Sequence, residues 1–142
     1  MAVTVTYAKN FGGVRDTLWT FSDNQAITTD AISENVVDLG SHNVDGALEL
    51  GNGNPKKVVI VITETFAGGT SMDFQLQTAE DAAGSSAVTL ATTGVILDAK
   101  LVKGTVFELT IPANVGLDRY LLMNYVDVGA HSAGKIDCHL VG

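Results

Sequence analysis

Two neighbouring stretches show the two patterns from which the chain is built. Val58-Val59-Ile60-Val61-Ile62 is apolar at every position, as in a strand covered on both faces. Met72-Asp73-Phe74-Gln75-Leu76-Gln77-Thr78 alternates apolar with polar residues, as in a strand with one wet face. The Ala67-Gly68-Gly69-Thr70-Ser71 cluster between them is turn chemistry, so the pattern predicts a hairpin over residues 58–78. Its all-apolar strand needs a cover on each side. A second sheet containing residues 107–111 and 136–140 would supply one, and the N-terminal segment or a neighbouring subunit the other. Residues 119–126, nearly all apolar or aromatic, make the same demand.

The rest of the chain repeats the strand pattern. Val36-Val37-Asp38-Leu39-Gly40 reads as a strand ending in Gly, and Ala87-Val88-Thr89-Leu90-Ala91-Thr92 alternates. In Thr105-Val106-Phe107-Glu108-Leu109-Thr110-Ile111, Phe107, Leu109 and Ile111 share a face, and Pro112 ends the run. Lys135-Ile136-Asp137-Cys138-His139-Leu140-Val141 alternates again. Residues 30–35 fit one helical turn, residues 95–101 fit either a strand or a helical turn, and residues 41–55 read as a surface loop. This makes about seven to nine short strands at intervals of about 8–15 residues, with no sustained helical period. The expected fold is an all-β, antiparallel β-sandwich or barrel, with Greek-key or jelly-roll wiring.

Residues 1–20 stand apart. Val3-Thr4-Val5-Thr6-Tyr7 alternates briefly, Asn10-Phe11-Gly12-Gly13 breaks it, and Val14-Arg15-Asp16-Thr17-Leu18-Trp19 follows with the chain's one Trp. Two readings fit: an edge strand and loop on the protein's own core, or an N-terminal arm that docks on a neighbouring subunit. The chain therefore divides into an arm or edge segment, residues 1–20, and a β-sandwich domain, residues 21–142.

Composition narrows the function classes. The 142 residues suit one domain, and a hydrophobic fraction of 46% is that of a folded chain. The longest apolar run is far shorter than a membrane-spanning helix, so no membrane partner is expected. No basic region followed by an apolar core opens the chain, so no secretory signal is expected, and one Cys cannot form an internal disulfide. Sixteen acidic against eight basic side chains give a net charge of −8. That balance argues against nucleic acid, whose recognition needs clustered Lys and Arg.

Little catalytic chemistry is legible. Asp137 and His139 share a strand face with His131 just upstream, but Cys138 points the other way and a four-ligand zinc set is not assembled. The simpler reading is a solvent-facing Asp and His on the last strand. No Gly-x-Ser-x-Gly elbow occurs, Asp23, Asp45 and Gly46 lack calcium-loop spacing, and Gly51-Asn52-Gly53-Asn54 lacks the lysine of a phosphate loop. Glu80-Asp81 read as a solvated loop. Tyr120, Tyr125, Trp19 and five Phe could form a sugar-binding platform, but most fall at core phase within strands. No enzyme, metal or cofactor is expected.

A series of segments, taken in order, carries a family resemblance. These are Ser22-Asp23-Asn24-Gln25-Ala26-Ile27-Thr28, Val36-Val37-Asp38-Leu39-Gly40, residues 58–62, Phe74-Gln75-Leu76-Gln77-Thr78-Ala79, Val88-Thr89-Leu90-Ala91-Thr92, residues 107–112, Arg119-Tyr120-Leu121 and Ala133-Gly134-Lys135. Over residues 21–141 the chain resembles the small jelly-roll cement, or decoration, proteins of tailed bacteriophage capsids. The resemblance implies a virion structural protein, assembled in the host cytoplasm. It would sit as a homotrimer on the outer capsid surface and bridge major capsid protein subunits. Residues 1–20 are longer than that family's pattern. The interface residues expected on this basis are Val3, Val5, Tyr7, Phe11, Arg15, Trp19 and Arg119. The alternative is a carbohydrate-binding or tail-associated β-sandwich module of a virion.

Overall fold

A computed structural model describes residues 19–39, 56–112 and 117–141. Among them nine strands form: β1 (Thr20–Ala26), β2 (Ala31–Ile32), β3 (Val37–Asp38), β4 (Lys57–Ala67), β5 (Ser71–Ala79), β6 (Val88–Leu97), β7 (Val106–Thr110), β8 (Tyr120–Val128) and β9 (Ala133–Val141). They make two antiparallel sheets. The first has the order β1-β9-β4-β7; in the second β2 and β3 both pair with β8, followed by β5 and β6. Leaving aside β2 and β3, which border the same strand, only the β5–β6 connection stays within a sheet; every other one crosses the sandwich. This is jelly-roll wiring, two interlocked Greek keys.

The alternation sets which side chains face inward. Met72, Phe74 and Leu76 of β5, Leu121, Met123 and Tyr125 of β8, and Ile136, Cys138 and Leu140 of β9 meet Val58, Ile60 and Ile62 of β4 in one core. Phe74 stands edge-on to Tyr125, with ring centroids 5.8 Å apart, and lies 6.0 Å from Phe107. Each fully buried large side chain contributes roughly 1.5–3 kcal/mol through the water it sheds. Tyr125, at 0% exposure, keeps its hydroxyl satisfied by a 2.6 Å hydrogen bond to Ser22 Oγ.

Several expectations are corrected. β4 and β5 do not form a hairpin: β4 belongs to the first sheet and β5 to the second, and Gly68-Gly69-Thr70 carries the chain between sheets. Strands β7 and β9 do not cover β4 either; they flank it in its own sheet, and the facing sheet is built on β5 and β8. Residues 30–35 make no helical turn. They run through the short strand β2, while Ser33 Oγ donates to the Asn35 carbonyl at 2.7 Å. Residues 95–101 split, the end of β6 giving way to a 3-10 turn, Asp98–Lys100. The loop expected at 41–55 lies outside the described residues; Lys56 follows it and Lys57 opens β4.

The outward side of the two apolar strands is covered in part: Val61 and Val126 are half-buried and Val128 is exposed, but other outward residues are hidden. Val59 is 4% exposed, and Leu122 of β8 is fully buried on the outer side of its sheet. Leu122 lies under the β5–β6 loop, where a Cβ on Gly84 would come within 3.3 Å of its side chain.

Candidate functional site

The densest cluster of titratable groups lies at one end of the sandwich. The chain leaves β8 through Gly129 (φ 94°) and Ala130 (φ 53°). Holding Ala in the left-handed region costs roughly 1–2 kcal/mol. The resulting turn drives the His131 ring inward, where its side chain is wholly buried. There it stands perpendicular to Phe66, with centroids 5.1 Å apart. It presses so closely on the β4–β5 turn that a Cβ at Gly69 would fall 2.5 Å from the ring. Nδ1 of His131 meets Asp127 Oδ1 and Nε2 meets Asp98 Oδ1. The backbone N–H of His131 also donates to Asp127 Oδ2 at 3.2 Å.

Backbone bonds tie the same connections together. The Asp98 N–H donates to the Thr70 carbonyl at 3.1 Å, the Thr70 N–H to Val128 at 2.8 Å and the Ser132 N–H to Ala67 at 2.9 Å. Burial by itself pulls the His131 pKa down. The hydrogen bonds and charges of Asp98 and Asp127 outweigh it, leaving the imidazole above its ordinary value. When both ring nitrogens carry a proton, each faces a carboxylate and the ring then has no lone pair to act as base or ligand.

The other histidine expected at a site lies elsewhere. Asp137 and His139 were expected to face solvent on β9, but they are 0% and 2% exposed. Register shifts in β1 bring Asn24 (φ 54°) against this face, and its backbone N–H donates to Asp137 Oδ1 at 2.6 Å. Asn24 Oδ1 in turn accepts from the Thr63 hydroxyl at 2.7 Å. His131 therefore joins Asp98 and Asp127, not Asp137 and His139. Among the described residues no group of three or more His, Cys, Asp or Glu side chains could hold a metal ion. Burial pushes the Cys138 thiol and the Tyr125 hydroxyl up, so both stay protonated in the core. Asp81 is exposed as expected, and its carboxylate accepts from the Ser85 N–H at 3.0 Å, which holds its pKa below the usual range.

Of the expected interface residues, Val3, Val5, Tyr7, Phe11 and Arg15 lie outside the described residues. Trp19 is half-buried and packs against the core. Arg119 makes a two-pronged ion pair with Asp38, at 2.9 and 3.0 Å, and lies 5.1 Å over the Tyr120 ring.

A surface that periodicity did not single out lies on the outer face of the second sheet. The register aligns Leu97, Ser71 and Val128 in one row, Val95, Asp73 and Val126 in the next, and Thr92, Gln75, Asn124 and Ile32 in a third. Val95 is 70% exposed and Leu97 59%, with Val128 and Ile32 also open. The one carboxylate in these rows, Asp73, accepts from the Thr92 hydroxyl and from Gln75 Nε2. The sequence left residues 95–101 open between strand and helical turn, so neither the outward phase of Val95 and Leu97 nor the strands beside them was legible.

Fold and surface together define a jelly-roll protein whose buried titratable groups hold the fold and whose second sheet presents aliphatic side chains to solvent. The chain belongs to the Bbp16 family, whose model matches residues 21–140, from within β1 to within β9. A search of curated proteins returns no match. Among the described residues no helix is long and apolar enough to cross a membrane.

Proposed function

We propose that this protein is a structural component of a virion, a cement protein that binds the outer capsid surface and stabilises contacts between major capsid protein subunits. The observation that carries the reading is the outer face of the second sheet. Exposed Val95, Leu97, Val128 and Ile32 surround a single, hydrogen-bonded carboxylate in a chain of net charge −8. Grouped aliphatic exposure of this kind marks a surface that meets another protein. The resemblance to phage cement proteins supplies the partner and implies a homotrimer. Contacts shared among several capsid subunits gain from avidity, so each one can be weak. No aromatic side chain is exposed among the described residues, so nothing there favours the sugar-binding alternative.

The test is to mix the purified chain with expanded capsids that lack it. Co-sedimentation and a raised threshold for heat or pressure disruption are expected, together with a light-scattering mass three times that of the 14.8 kDa chain. A persistent monomer that neither sediments with capsids nor protects them would overturn the proposal.

A further inference from the structure

We propose that Asp98, His131 and Asp127 form a proton-operated latch, closed while His131 is protonated and released when the proton leaves, that controls the opening of one end of the sandwich. The three residues come from three separate places: the 3-10 turn after β6, the loop between β8 and β9, and the end of β8. The ring they hold fills the space beneath a fourth segment, the β4–β5 turn at Gly69, with Phe66 of β4 against its edge. One side chain thus stands between three of the connections at this end, those that follow β4, β6 and β8.

The charges around it set the direction of the switch. Asp127 faces the ring from β8 and Asp98 from the 3-10 turn; Phe66 and Gly69 contribute no charge. Behind Asp127 stands Asp30 of the β1–β2 connection, which accepts the Asp127 backbone N–H at 2.7 Å. Among the described residues, Asp98 and Asp127 form ion pairs with His131 and with no Lys or Arg. A protonated ring donates one N–H to each carboxylate, leaving one net negative charge over the three groups. A neutral ring keeps one N–H, so its bare nitrogen faces a carboxylate oxygen, acceptor against acceptor. The site then holds two negative charges, one of them on Asp127, whose side chain is fully buried. Separation of the segments relieves both penalties by admitting water.

The sign follows by linkage. The folded-state pKa of His131 is raised, so the latch's contribution is complete below the ordinary histidine value of about 6.5 and disappears as pH rises through the raised value. Each unit of elevation corresponds to a tenfold change in the closed-to-open ratio. The opening would also move the aliphatic surface. Leu97 precedes Asp98 and Val128 follows Asp127, and both flank Ser71 in one row of the outer face.

The experiment uses the full chain between about pH 5 and 9. The titration of the His131 ring is followed by NMR, and protection of the Thr70, Asp98 and Ser132 amides by hydrogen exchange, corrected for intrinsic rates. Those three protection factors should fall as pH rises, with the midpoint of the ring titration, while amides in the centre of β5 and β8 hold theirs. Because His131→Gln can fail to fold, the second variant is Asp98→Asn, which removes one carboxylate. It should move both midpoints to lower pH together. A ring that titrates without any change in the three amides, or an Asp98→Asn protein with an unmoved midpoint, would overturn the latch.

Discussion

The outer faces of the two sheets invert the usual order of burial. On the first sheet, Asp137 is 0% and His139 2% exposed, beside Val59 at 4%. On the second, Val95 is 70% and Leu97 59% exposed. A carboxylate and an imidazole are hidden while two aliphatic side chains meet water, so hydropathy alone did not assign either face. The middle of the first face is completed within the chain, with Asp137 held by the Asn24 N–H. On the second, the β5–β6 loop lies over Leu122, while Val95 and Leu97 stay open. A face finished by its own chain serves stability, and an open one is available for recognition.

Substitutions can break this contrast, beginning with the largest effect. Leu122→Ala removes a side chain that is outward in register yet fully buried, and should cost about 2–5 kcal/mol by urea denaturation. A loss near zero would mean that the β5–β6 loop does not seal this part of the face. Asp137→Ala should cost about 1 kcal/mol, because the hydrogen bond from the Asn24 N–H to this buried side chain is lost. The paired change Val95→Ser with Leu97→Ser should leave stability within about 0.5 kcal/mol while weakening co-sedimentation with capsids. Unchanged capsid binding in that variant would remove the second face from the interface. Arg119→Ala should have the smallest effect on folding, since its ion pair with Asp38 is exposed to solvent, and raising the salt concentration should erase what difference remains.

The chemistry of the loop end was less legible than the strands. Asp127 stands four residues before His131, close enough to suggest a local pair, but Asp98 is 33 residues away and nothing in its surroundings points to a histidine. The expected grouping of His131 with Asp137 and His139 rested on closeness in sequence. Gly129 and Ala130 at positive φ instead turn His131 into the loop end, while the pleat sends Asp137 and His139 to the outer face of β9. Asp38 escaped notice for the same reason: 81 residues separate it from Arg119.

Along β5, β7 and β9, strand position and inward phase were determined by the sequence itself, because a pleated strand alternates its side chains with period two whatever lies beside it. Phe74 and Leu76, Phe107 and Leu109, and Ile136 and Cys138 all take the sides their pattern predicts. The tertiary structure alone decided which strands share a sheet. A short Gly-rich turn serves a hairpin and a crossover equally well, so β4 and β5 could be told apart only by their partners, β9 and β7 for one and β8 and β6 for the other. The same long-range pairing decided the fate of the outer faces, since burial there depends on segments brought across by the fold and not on the residues of the strand.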